Sequence, residues 1–374
     1  MSCCLLYHFK DLADPRIERN KLHSLEDIVV LTICATVSGA DGWESIADFG
    51  RSKLDWLRKF IALENVVPSP DCIAYVLQRL SVEGFMACFR NWTQAVMQAS
   101  GGQVQEFVRV DGKTSRGSRD RRKGRSPLHM VSAWASRNRM VLGQEATEEK
   151  SNEITAIPKL LSMLELKGCI VSIDAMGCQR AIAEQVIEQG GDYVLGLKDN
   201  QPSLSEAVEE FFETAQAADF AGVKYDQKEE LDKGHGRVET RRYWITEELS
   251  TLPNPERWKG LRSIGMVVRE VLQGDARTEE RRYFINSIPA QANLFAEAVR
   301  GHWDVENRLH WRMDVVLRED ACTIRKGNAP AILTTARHLV LNLFEREGSR
   351  LSLPRKRYRA ALDDDYRAKV VFGT

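Results

Sequence analysis

The sequence predicts an α/β protein: a mixed β-sheet flanked by helices, behind a helical N-terminal part and with a separate antiparallel β-rich stretch late in the chain. Three observations lead there. The first hundred residues carry apolar side chains at helical spacing. A linker, Ser100-Gly101-Gly102-Gln103, ends that texture. Beyond it, short apolar runs alternate with helical patterns, the rhythm of a sheet covered by helices.

In the N-terminal part, 22–38 has a nearly continuous apolar face, with Ser24 placed as N-cap and Glu26 and Asp27 in the first turn. Residues 43–60 follow as a ragged helix, Asp71 is placed as the cap of a helix over 72–80, and 82–96 reads as a fourth. Residues 1–100 hold ten Lys and Arg against twelve Asp and Glu, so this part is not strongly basic. It reads equally as a packing module or a DNA-binding one.

After the linker, 107–111, 128–136 and 140–147 read as strands, 153–164 as a helix with Pro158 in its first turns, 169–174 as a buried strand, 179–189 as a helix stopped by Gly190-Gly191, and 192–198 as a strand. The order βββαβαβ is that of a ribonuclease-H-like fold. Residues 200–288 break the rhythm: 204–215 is helical, and 237–245, 262–271 and 281–288 alternate as antiparallel strands do. Helices return over 290–311 and 329–346, and the tail reads as irregular and basic.

The chain has 374 residues with 53 Lys and Arg against 53 Asp and Glu, which excludes a uniformly basic coat. No apolar run reaches the roughly 18 residues of a membrane span, and the first residues are too short and uncharged for a signal peptide. The eight cysteines form no CxxC pair and sit mostly in apolar stretches, as reduced thiols of a cytoplasmic protein do. Their spacing matches no standard zinc site.

Two carboxylates stand at strand ends, Asp111 before Gly112-Lys113-Thr114 and Asp174 before Ala175-Met176-Gly177. Acids at matching strand ends converge where open α/β sheets bind ligands, and there they hold a divalent metal or share a proton; each also suits a turn cap. Glu306 lies in His302-Trp303-Asp304-Val305-Glu306-Asn307-Arg308-Leu309-His310-Trp311. A continuous helix puts His302, Glu306 and His310 on the face of Val299, Leu309 and Met313, and so half-buries Glu306 in need of a partner, a metal or an arginine. Asp314, Glu319 and Asp320 are rival acids, with Asp314 facing away from Glu306. Positive charge is local: 109–125 carries a net +6 and 346–359 a net +5. Such runs are usually solvated loops, but one beside a carboxylate site suits a polyanion. Trp303 and Trp311 flank Glu306, as core residues or as surfaces for an unpaired base. Together these features point to metal-assisted phosphodiester chemistry.

The motifs His23-Ser24-Leu25-Glu26-Asp27-Ile28, Gly39-Ala40-Asp41-Gly42-Trp43-Glu44, Val110-Asp111-Gly112-Lys113-Thr114, Asp174-Ala175-Met176-Gly177-Cys178-Gln179 and 302–311, continuing to Glu319-Asp320, resemble those of the H-repeat-associated transposases of bacterial insertion sequences, a branch of the DDE transposases. The resemblance runs from about residue 8 to about residue 345. It implies a helical transposase-associated domain over 1–98 and a ribonuclease-H-like catalytic domain over 104–374, with a β-rich insertion at about 200–288 and a basic C-terminal tail. It implies Mg²⁺, with Mn²⁺ as substitute, held by Asp111, Asp174 and Glu306 as both catalytic and metal-binding triad. It implies double-stranded DNA as partner, at element ends and target, bound by a dimer in the cytoplasm. DNA contacts are expected from Lys113, Arg116, Arg119, Arg121, Arg122, Lys123 and Arg125, and from His302 and Arg308 on the helix. In the superfamily's Tyr-x2-Arg-x3-Glu-x6-Lys signature, this sequence has Val299, His302 and Met313 at the Tyr, Arg and Lys positions. The competing expectations are a decayed, inactive DNA-binding relic and a metal-dependent nuclease without strand transfer.

Overall fold

The computed structural model describes residues 4–99, 106–119, 123–124, 126–147, 152–234 and 236–373. In chain order the elements are α1 (Leu5–Phe9), α2 (Leu25–Val37), α3 (Trp43–Ser52), α4 (Leu54–Leu57), α5 (Pro70–Leu77), α6 (Val82–Ala99), β1 (Phe107–Thr114), β2 (His129–Ala135), β3 (Met140–Thr147), α7 (Glu153–Leu161), β4 (Ile170–Ile173), α8 (Arg180–Glu188), β5 (Asp192–Leu197), α9 (Pro202–Ala217), β6 (Tyr225–Gly234), β7 (Arg237–Thr246), β8 (Ser263–Gln273), β9 (Ala276–Asn286) and α10 (Ala292–Val305). Two π-helical stretches, Glu306–His310 and Arg312–Val316, precede α11 (Ala329–Arg346), α12 (Leu353–Leu362) and α13 (Asp364–Phe372). The chain divides into two compact units, Met1–Val104 with Gly112–Lys150 and Glu306–Thr374, and Gln105–Asp111 with Ser151–Val305. The chain passes from one to the other within β1.

The first unit is built on helices that are apolar nearly all round, which places them in its interior. α11 is buried from Ala331 to Phe344 and packs on α2, α6 and β3. Ser24 caps α2 by accepting from the Asp27 amide at 2.9 Å, as its spacing predicts. α5 departs from the expectation. Its cap is Ser69, which accepts from the Cys72 amide at 3.2 Å, not Asp71. Pro70 occupies the first turn, where its missing N–H costs nothing. The ragged 43–60 pattern is two helices, broken at Lys53. The tail is helical rather than irregular: Pro354 stands in the first turn of α12, where its missing N–H costs nothing, and Asp363 caps α13 by accepting from the Tyr366 amide at 2.9 Å. Its cations are partly used inside the unit. Lys356 donates to the Phe344 carbonyl at 2.6 Å, and the Arg367 guanidinium lies 4.0 Å from the Trp56 ring centre.

β2 and β3 form an antiparallel hairpin in this unit. Asn342 of α11 extends its ladder sideways. Its Oδ1 accepts from the Val141 amide and its Nδ2 donates to the Val141 carbonyl, both at 2.8 Å, and Nδ2 also reaches Thr93 Oγ1 at 3.2 Å.

The second unit is a mixed sheet in the order β1-β4-β5-β9-β8-β7-β6. β1, β4 and β5 are parallel; the remaining pairs are antiparallel. The expected antiparallel stretch is present and gains an unforeseen strand, β6, whose charged, exposed sequence suits a sheet edge. α10 covers one face of the sheet through Phe295, Ala296 and Ala298 against Phe107, Tyr243, Ile245 and Val267. Two close approaches set its height. Phe295 lies so near Gly265 that a Cβ there would sit 2.4 Å from the ring, and a Cβ at Gly301 would fall 1.7 Å from the Arg109 guanidinium. Arg109, 2% exposed, donates to the α10 carbonyls of Ala298 and Glu297, the latter at 3.0 Å, and reaches Ser172 Oγ at 3.5 Å.

Asn342→Ala leaves a buried N–H and C=O of Val141 unpaired. Chemical denaturation is expected to show a loss of about 2–4 kcal/mol, from two groups at roughly 1–3 kcal/mol each with partial rescue by water.

Candidate active site

The last registered pair of β1 and β4 is Val110 with Ile173. Asp111 and Asp174 come next, so the two expected acids stand side by side where the β1–β4 pairing stops; Asp174 follows the end of β4 as expected, but Asp111 does not end its strand, because β1 runs on to Thr114. Asp174 is exposed, and its Oδ1 caps the turn Ala175–Gly177, accepting from the amides of Met176 at 3.1 Å and Gly177 at 3.4 Å. The turn needs glycine, since a Cβ at Gly177 would meet Ile173 Cγ2 at 2.2 Å. Capping thus uses one oxygen and orients the carboxylate.

A cleft of about 420 Å³ opens beside Asp174. Its lining includes Lys198, Asp199, Arg281, Arg282 and Tyr283. Lys198 follows β5 directly, while Arg281 and Arg282 come from β9, the next strand over. The arginines are partly neutralised by Glu279 at 3.0 Å and Glu280 at 2.7 Å. These cations were missed in sequence because they lie in no basic run; only the pairing of β5 with β9 brings them to the acid.

Glu306 departs from its expectation. It is exposed, not half-buried. The buried row is Val305, Leu309 and Met313, all 0% exposed. The continuous α-helix expected over 290–311 ends at Val305, and a π-helical stretch begins at Glu306 itself. Its wider turn shifts the faces that a 3.6-residue period assigns. The side chains of His302, Trp303, Asp304 and Asn307 lie outside the described residues. Glu306 belongs to the first unit, Asp111 and Asp174 to the second. Among the described residues no three His, Cys, Asp or Glu side chains gather closely enough to hold a metal ion.

The basic run divides. Lys113, an expected phosphate contact, is instead buried within the first unit. Its Nζ lies 2.6 Å from Asp314 Oδ1, 3.0 Å from Glu319 Oε2 and 3.6 Å from Asp320 Oδ1, with its side chain 11% exposed. Arg116 is exposed, its amide donating to Asp320 Oδ1 at 3.0 Å. Arg119 and Lys123 are exposed, and Arg308 is half-buried. Arg121, Arg122 and Arg125 lie outside the described residues, as does the side chain of His302. Trp311 is exposed.

Glu319 is thereby removed from the rival acids. Ser115 Oγ and Thr334 Oγ1 each donate to its Oε1 at 2.8 Å. Burial pushes its carboxyl up, but the Lys113 ammonium and these donors prevail and hold it down at about 2. His338, fully enclosed and bonded to Gln144, is pushed down to about 4 by burial.

The Transposase DDE domain model matches residues 102–343 and the DDE_Tnp_1-associated model residues 6–93. The chain belongs to the DDE transposase family, among its H repeat-associated members. "H repeat-associated putative transposase YhhI" of Escherichia coli K12 is 40% identical over 99% of this chain and 98% of its own. YncI of E. coli O157:H7 is 38% identical over 98% and 94%. A shorter relative, "Inactive transposase YbfQ" of E. coli K12, is 44% identical over 20% of this chain and 89% of its own.

Both shifted groups favour the folded state at neutral pH. Each binds its proton more tightly when unfolded, His338 near 6.5 and Glu319 near 4.5. Stability is therefore expected to fall on acidification, first between pH 6.5 and 4 and then towards pH 2. In thermal melts against pH, His338→Gln should lose the upper part of that decline and Glu319→Gln the lower part.

Proposed function

We propose that this chain is a DNA transposase that cuts at the ends of an insertion sequence and joins the freed 3′-hydroxyl to target DNA. The observation that carries the reading is the placement of Asp111 and Asp174 directly after the last registered pair of the parallel strands β1 and β4, with Asp174 in the lining of a cationic cleft. In this reading β1 to β5 are the core of a ribonuclease-H-like domain, β6 to β9 carry the insertion, and Glu306 completes the acidic triad.

The donor set suits Mg²⁺, which binds through one or two carboxylates and completes its shell with water and substrate phosphate. Asp174 fits this, an exposed carboxylate with its Oδ1 engaged by the turn. A bound divalent cation would activate the attacking oxygen and stabilise the leaving one. The chain's own part is to hold and align the DNA. Lys198, Arg281 and Arg282 place positive charge where the scissile phosphate would approach Asp174, and Arg119 and Lys123, with Arg121, Arg122 and Arg125, grip the backbone further along. Pairing two element ends favours a dimer on DNA, and the bacterial cytoplasm is where that DNA lies.

Purified protein, incubated with DNA flanking its own gene and Mg²⁺ or Mn²⁺, is expected to give cuts and joined products. Glu306→Ala should abolish both and leave DNA binding intact. Binding without products from both true ends would mark a decayed copy, and cuts without joining would mark a nuclease. Neutralising Arg119, Arg121, Arg122 and Lys123 together should weaken binding and flatten its dependence on salt, because each lost phosphate contact removes roughly 0.9 from the logarithmic slope. An unchanged slope would take the run out of the interface.

A further inference from the structure

Lys113 sits in a seam within the first unit where the chain leaving β1 meets the chain following the π-helical stretches. The seam is tight. A Cβ on Gly117 would lie 2.3 Å from the Cys322 carbonyl oxygen and 2.5 Å from that of Asp320. Arg325 Nε donates to the Gly117 carbonyl at 3.1 Å, and Ser115 Oγ to Glu319 at 2.8 Å. At its centre the Lys113 ammonium meets Asp314, Glu319 and Asp320. A DNA phosphate would have to displace carboxylates to reach it.

We infer that Lys113 is a positioning residue for Glu306 and makes no contact with DNA. The inference rests on the triad proposed above and adds to it. Side chains alternate along a strand, so Arg109, Asp111 and Lys113 share one side of β1. Arg109 holds the Glu297 and Ala298 carbonyls of α10, on the N-terminal side of Glu306. Lys113 holds Asp314 and Glu319, on its C-terminal side. Within the first unit, the segment that follows Glu306 is thus fastened by Lys113 through Asp314 and Glu319. Losing Lys113 would leave Glu319, 3% exposed, without its main counter-charge and would release the C-terminal fastening.

The test uses the full chain with duplex DNA flanking its gene, and Mn²⁺ binding read by electron paramagnetic resonance. Three variants are compared with the wild type: Lys113→Met, Lys113→Met combined with Glu319→Gln, and Lys113→Arg. The double variant removes the stranded buried charge and should melt close to the wild type. It should still need about tenfold more Mn²⁺ for half-saturation, the scale of effect when a group supporting a metal ligand is lost. Lys113→Arg should recover most of that affinity, and all three should keep the wild-type affinity for DNA and its salt slope. A slope reduced by about one in Lys113→Met would make Lys113 a phosphate contact and overturn the inference. Wild-type Mn²⁺ affinity in the double variant would reduce Lys113 to a fold-stabilising role and overturn it equally. A wild type that binds DNA but no Mn²⁺ would sink the triad itself, and this inference with it.

Discussion

One side of a single strand, β1, constrains the segments bonded to it through its cations. β1 carries Arg109, Asp111 and Lys113 at alternate positions, and the two cations are largely withdrawn from water. Burying a guanidinium or an ammonium is unfavourable unless directed partners replace its water. Here they do: helix carbonyls for Arg109, and carboxylates for Lys113. Apolar residues of similar size would fill such places with less loss of hydration. What they would not supply is direction. A guanidinium bonded to named carbonyls holds a helix at one height and rotation, whereas methylenes tolerate sliding. Gly301 shows the same demand from the other side, because any larger residue would enter the Arg109 guanidinium.

The sheet of the second unit makes a related division of labour. The pairing of its parallel strands β1 and β4 stops at Val110 and Ile173, which is why the acids that follow these two residues lie next to each other, although β1 itself runs on to Thr114. Its antiparallel strands are long and ion-paired. Glu239, Arg241 and Arg269 cross-link β7 and β8 along one face, so this part gains rigidity from charge as much as from burial. The strand that joins the two regimes, β9, brings Arg281 and Arg282 to the cleft beside Asp174.

How much of this was legible in sequence follows from the range of each interaction. The cap on α2, the extent of β3 and the whole of α11 depend on residues a few positions apart, and the sequence reading has them right. The place of Asp174 after a strand was legible too, because a short apolar run closed by Asp is a local signal; the same reading put Asp111 at a strand end, whereas β1 runs on to Thr114. The environment of Lys113 was not. Its partners Asp314, Glu319 and Asp320 lie some two hundred residues on, and nothing near Lys113 in sequence distinguishes it from Arg119 or Lys123. The π-helical stretch at Glu306 was hidden for another reason: its residues keep an α-helical spacing of apolar side chains, and only the backbone departs from it. The tail was misread because its charge was weighed above Pro354 in the first turn of α12 and the Asp363 cap of α13.

Net charge misleads here in an instructive way. A chain with equal numbers of acids and bases has no overall attraction for a polyanion. What matters is which cations keep their field outside. Arg109, Lys113, Lys356 and Arg367 spend theirs on internal acceptors and contribute little beyond a few ångströms. Arg119 and Lys123 are exposed, as is Lys198 at the cleft. A basic run in sequence is therefore two populations in space, an inner one that holds the fold and an outer one exposed at the surface. The boundary between them falls inside the run itself, between Lys113 and Arg119, where the strand gives way to the turn at Arg116–Ser118.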